Sequence, residues 1–246
     1  ADTSDDSVNP VAMRDSILRR MSLETDLRRA MANQELVVFY QPVLSISDGI
    51  LLGFEALVRW RHPERGLLPP GDFIQVAEET GLIIQLDRWV MREAFRQLRE
   101  WHQSIPGHEN LRISINLSGK QIAQPDLVSF VRQVIEDTGI APGQVNLEIT
   151  ETTVMENHVR TVEVLNGLRG VGVQIQVDDF GVGYSSLCYL CQFPLDALKI
   201  DRSFVSNMHI DETNMRIVQA IVMMTHGMGL KVVAEGVETA AQLKNL

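Results

Sequence analysis

Seven short runs carry apolar side chains on one parity and a charge or amide on the other, and most are separated by enough chain to form a helix. They are 37–43, 51–60, 112–117, 145–150, 173–178, 197–201 and 231–235. Helical periodicity occupies 72–80, 87–102, 127–138, 159–168 and 214–228. Ser47-Asp48-Gly49 is a tight-turn signal, so the first two strands should pair antiparallel. Each later crossover is long enough to return its strand parallel. The pattern predicts an α/β fold, a (β/α)8 TIM-like barrel with an antiparallel first strand. Seven strands are legible where a closed barrel needs eight, so the last strand is expected to be missing from this chain.

Residues 1–30 read differently, as a connector from an upstream domain. Met13, Ile17 and Met21 predict one helix there, and Ser22 would cap a second carrying Leu23, Leu27 and Met31. Residues 31–246 form the domain proper.

Side chains alternate across a strand, so each run can be sorted by face. Glu55 shares its face with Gly53, Leu57 and Arg59; Asn116 with Ser114; Glu148 with Asn146 and Thr150. Asp178 lies with Gln174 and Gln176, Lys199 with Asp201, and Glu235 opposes Val232 and Ala234. These groups gather at the C-terminal strand ends, where barrels of this class build their sites. Glu55, Asn116, Glu148, Asp178, Asp179 and Glu235 form an oxygen-only set matched by few cations, Lys199 and Arg59. Hard oxygen ligands without His or Cys suit Mg²⁺ or Mn²⁺ rather than zinc. Two such ions would relieve the repulsion, and a pair of them supports phosphodiester hydrolysis.

Composition narrows the partners. Lys and Arg number 22 against 32 Asp and Glu, a formal charge of −10, which disfavours a nucleic-acid polymer or an anionic membrane. No apolar run approaches a membrane span, the N-terminal residues lack a signal peptide's pattern, and two cysteines make no disulfide framework. A cytoplasmic location is expected, with a tether through an absent sensor domain left open. Cys188 and Cys191 read as two buried thiols on a helix, and Phe180-Gly181-Val182-Gly183 lacks the lysine of a P-loop. In Arg59-Trp60-Arg61-His62 only Arg59 has the site's parity, and the rest is expected to be loop rim.

Seven ordered motifs resemble the EAL family of bacterial cyclic di-GMP phosphodiesterases. They are Phe39-Tyr40-Gln41-Pro42, Glu55-Ala56-Leu57-Val58-Arg59-Trp60, Ile115-Asn116-Leu117-Ser118 and Leu147-Glu148-Ile149-Thr150-Glu151. The run from Asp178-Asp179-Phe180 to Leu187, Leu198-Lys199-Ile200-Asp201 and Ala234-Glu235-Gly236-Val237-Glu238 complete the set. The resemblance implies hydrolysis of cyclic di-GMP to linear 5′-pGpG with two Mg²⁺ or Mn²⁺ ions, in a homodimer with an upstream regulatory domain. It implies that Glu55, Asn116, Glu148 and Asp178 hold one ion, with Asp178 bridging to a second that involves Asp179 and Glu235. It implies that Lys199 positions or helps deprotonate the attacking water, and that Glu151 steadies the 178–187 loop. Gln41, Leu57, Arg59, Asp201 and Glu238 fall at substrate-contact positions. Val182 departs from the family's usual Thr or Ala. The alternative is a catalytically silent cyclic di-GMP receptor signalling through the N-terminal helix.

Overall fold

The computed structural model describes residues 10–156, 158–182 and 190–246, with side-chain surroundings from residue 20 onward except 155–158. Met13 and Ile17 have no described side-chain surroundings, and Gly183 to Leu187 and Cys188 lie outside the described residues.

The strands are β1 (Leu36–Leu44), β2 (Leu51–His62), β3 (Gly66–Leu68), β4 (Arg112–Asn116), β5 (Val145–Thr150), β6 (Gln174–Phe180), β7 (Ala197–Ile200) and β8 (Lys231–Ala234). Their hydrogen-bonded order is β1-β2-β4-β5-β6-β7-β8, with β3 pairing β2 off the main path. β1 runs antiparallel to β2, as Ser47-Asp48-Gly49 predicts, and every later pairing on the path is parallel. Among the described residues β1 and β8 are the free edges, so the sheet is an open, curled half-barrel.

The curl can be measured from the contacts. β2 and β7 stand four strand spacings apart, roughly 19 Å on a flat sheet. Lys199 Nζ on β7 nevertheless reaches Glu55 Oε2 on β2 at 3.3 Å. Only a strongly bent sheet closes that gap. Gly53 helps admit the bend, because a Cβ there would collide with the Arg112 carbonyl of β4. The opposite face is sealed by helices. On α1 (Pro10–Ala32), Leu27 and Ala30 are fully buried. The amphipathic α2 (Ile74–Thr80) and α3 (Ile83–Ser104) add Ala77, Met91, Phe95 and Leu98 to a core shared with Trp60, Ile113 and Leu147.

Four expectations need correction. α1 is one helix through position 32, and Ser22 donates to Asp26 Oδ2 on its surface instead of capping a new helix. The periodicity of α1 outlasts the local capping signal because its last turns bury apolar residues. Trp60, Arg61 and His62 are not rim: β2 continues through them and pairs with β3, and Trp60 is wholly buried. Asp87 does not start its helix but lies one turn inside it, buried. Cys191 is exposed, in a turn.

Candidate functional site

Lys199 is the hub. Its parity on β7 turns it into the barrel mouth, where its ammonium meets acids from four other segments. Nζ lies 2.6 Å from Glu148 Oε2, 2.6 Å from Glu235 Oε1, 3.2 Å from Asp178 Oδ1 and 3.3 Å from Glu55 Oε2. Glu55 also accepts from Asn116 Nδ2 at 3.0 Å; turning the amide over would present its oxygen instead. Lys199 and Glu148 are each only 2% exposed. An ion pair this deep persists only if charge and hydrogen bonds offset the loss of water.

Asp178 and Asp179 are neighbours, so a regular strand would turn them to opposite faces. The pairing of β6 with β7 slips between Val177 and Phe180, and Asp179 takes a left-handed φ of 53°. Strain at a residue without glycine's freedom marks functional sites in general. Here it brings both carboxylates to one place. Ligand oxygens of Asp178, Asp179 and Glu235 lie within 4.8 Å of one another, as do those of Glu55, Glu148 and Asp178.

These two triads share Asp178, contain no His or Cys, and are the donor chemistry of a hard divalent cation. Five carboxylates face one ammonium, a formal excess of four negative charges that two divalent ions would cancel. Without cations, protons take up part of the excess. Burial, opposed by Lys199 but reinforced by Glu55 and Asp178, pushes Glu148 up to about 8. Burial likewise raises Glu235 to about 6 against the pull of Lys199, and raises Asp179, which also feels Asp178 and Asp201. For Lys199 burial works the other way, yet Glu148, Glu55, Asp178 and Glu235 outweigh it and hold the ammonium charged. The donor set fits a metal pair.

The other predicted residues surround this cluster. Gln41 and Leu57 lie on the site face, Gln41 directly opposite Glu55. Arg59 is held by the Val58 carbonyl at 2.8 Å. Asp201 caps the helix Arg202–Asn207 through Ser203 N, and those bonds overcome burial to lower its pKa. Glu151, buried, accepts from Gly181 N at 3.1 Å, tying the start of the 178–187 loop to β5. Glu238 is not brought into the acidic cluster; its backbone N–H donates to Gln242 in the capping turn of Ala240–Asn245.

Sequence reasoning missed the brace behind Asn116. Asp87 on α3 accepts from Ser118 Oγ at 2.6 Å and Ser118 N at 3.1 Å, and Ser118 in turn caps the short helix Gly119–Ile122. An acid on a helix's apolar face was the available signal.

Comparison with known proteins agrees with this geometry. The EAL domain model matches residues 24–246. The cyclic di-GMP phosphodiesterase NbdA of Pseudomonas aeruginosa is 47% identical over 92% of this chain, which spans 28% of NbdA. The cyclic di-GMP phosphodiesterase PdeR of Escherichia coli is 39% identical over 94% of this chain, which spans 34% of PdeR. Among solved structures, the PaMucR phosphodiesterase in its c-di-GMP complex is 44% identical, superposes with a TM-score of 0.87, and covers 92% of this chain and 90% of its own. With nearly the whole chain matched and the acidic mouth in place, this chain belongs to the EAL domain family.

Proposed function

We propose that this domain hydrolyses one phosphodiester bond of cyclic di-GMP to give linear 5′-pGpG, assisted by two Mg²⁺ or Mn²⁺ ions. One observation carries the reading: two oxygen-only triads sharing Asp178, with a charged lysine at their centre. The names of NbdA and PdeR, and the ligand of the MucR complex, support the substrate.

Glu55, Asn116, Glu148 and Asp178 would hold one ion; Asp178, Asp179 and Glu235 would hold the other. Such a pair, when bound, lowers the pKa of water and neutralises charge on both sides of a phosphoryl displacement. The chain's own residues do the rest. Lys199, kept as an ammonium by its neighbours, donates a hydrogen bond and holds the attacking water or a phosphoryl oxygen in line. It serves as a positioning group and electrostatic stabiliser; a base would need it neutral. Arg59 supplies a second cation for the phosphates, and Gln41, Leu57, Asp201 and Glu238 bound the nucleotide. Glu151 fixes the loop that delivers Asp178 and Asp179.

The same reading takes the active species as a cytoplasmic homodimer, with residues 1–30 as a connector to an upstream regulatory domain. That the chain spans 28% of NbdA's length supports the last point. Among the described residues no helix is long and apolar enough to cross a membrane. The test is incubation of purified protein with cyclic di-GMP and Mg²⁺ or Mn²⁺, with chromatographic detection of pGpG. Binding without product, in both metals, would convert the reading to a silent receptor.

A further inference from the structure

Phe39 places a bare aromatic ring at the site. β1 and β2 are antiparallel, so directly opposed residues project to the same face. Gln41 therefore stands beside Glu55, Phe39 beside Leu57, and Val37 beside Arg59. Phe39 keeps 42% of its surface exposed, whereas Leu36 on the same strand is 4% exposed. The Arg59 guanidinium carbon lies 5.6 Å from the Phe39 ring centroid. That is a cation–π distance, and the ring's remaining exposure leaves it open to a further partner. Phe39 and Leu57 together make an apolar strip beside the charged and amide groups of the mouth.

Position along the strand matters. From the Gln41–Glu55 pair to the Phe39–Leu57 pair is two residues, about 7 Å, toward the end of β2 that carries Arg59. A phosphate held near Glu55 and the base of the same nucleotide are separated by one ribose, which bridges a gap of that order. An exposed phenyl face next to a guanidinium is also the pairing that proteins use for nucleotides: the ring takes the base and the cation takes the charge.

We propose that Phe39 is the stacking platform for one purine base of the cyclic dinucleotide, the base whose phosphate lies at the Glu55 end of the strip. The proposal rests on the nucleotide reading of the site and adds a residue that contributes affinity through its π-face. Purine edges are read by other groups, so the platform supplies binding strength more than choice of base.

The experiment measures apparent cyclic di-GMP affinity, from the substrate dependence of pGpG formation at saturating Mn²⁺, for the protein and its Phe39→Ala, Phe39→Leu and Phe39→Trp variants. Because Phe39 is exposed, all variants should melt within a few degrees of the parent. Alanine should weaken binding about tenfold or more, the scale of one base–aromatic stack. Leucine, which restores apolar area without a π-face, should remain weak, and tryptophan should return to within about threefold of the parent. Equal affinity for all four proteins overturns the platform, and so does rescue by leucine as complete as by tryptophan. Parent protein that binds and hydrolyses cyclic di-GMP while the alanine variant binds equally well refutes only the platform. Parent protein that binds no guanine nucleotide at all defeats the platform and the substrate reading together.

Discussion

Loading the acidic mouth with Mn²⁺ at pH 7 should expel about one proton per protein. Glu148, raised to about 8, is about nine-tenths protonated at pH 7 in the metal-free state, and Glu235, at about 6, about one-tenth. Asp179 shifts in the same direction, through burial and the neighbouring Asp178 and Asp201. A carboxylate must be ionised to ligate, so cation binding displaces these protons. The count should rise toward two near pH 5.5, where Glu235 also starts protonated, and fall toward zero above pH 9. Calorimetry reads it directly: titrate metal-free protein with Mn²⁺ at one pH in two buffers of different ionisation heat. The difference in observed heat gives the protons released. Saturable Mn²⁺ binding at pH 7 with no buffer dependence would refute both the buried, proton-holding cluster and its role as ligand.

Metal-free protein should melt at lower temperature at pH 8 than at pH 5. Glu148, Glu235 and Asp87, raised to about 7 by burial against its Ser118 bonds, hold protons that the unfolded chain releases near pH 4, so stability declines as pH rises through these values. Saturating Mn²⁺ should flatten or reverse the slope in a thermal melt; an unchanged slope would contradict the reading. Lys199→Met should cut pGpG formation at least 100-fold, the scale of one preorganised donor, and turnover within tenfold of the parent would reject its central role. Asp87→Ala leaves the Ser118 N–H and hydroxyl without their acceptor and should cost about 1–3 kcal/mol in denaturant unfolding. The same change should weaken Mn²⁺ binding about tenfold or more, because Ser118 follows closely on Asn116; parent-like affinity would limit Asp87 to a stability role. Gly53→Ala should destabilise by more than about 2 kcal/mol or prevent folding, and a parent-like melt would show that β2 and β4 can separate.

The strand runs, their parallel order after one hairpin, and the parity of Glu55, Asn116, Glu148, Asp178 and Lys199 were all legible from local pattern. Strand periodicity is a property of neighbouring residues, so it survives without knowledge of the rest of the chain. β3 was not legible, since three residues carry too little periodicity, and the extension of β2 past Trp60 through Arg61 and His62 depends on that partner.

What folding alone decided is distance and dielectric. Parity separates Asp178 from Asp179; a slip in register and one left-handed residue reunite them. Glu55 and Lys199 are 144 residues apart in the chain and 3.3 Å apart in the structure because the sheet curls. The proton affinity of Glu148 and the brace from Asp87 to Ser118 follow from burial between elements that only packing brings together. Sequence assigned which side chains share a face; the tertiary structure decided how close they stand and how little water reaches them, and Coulomb energy depends on both.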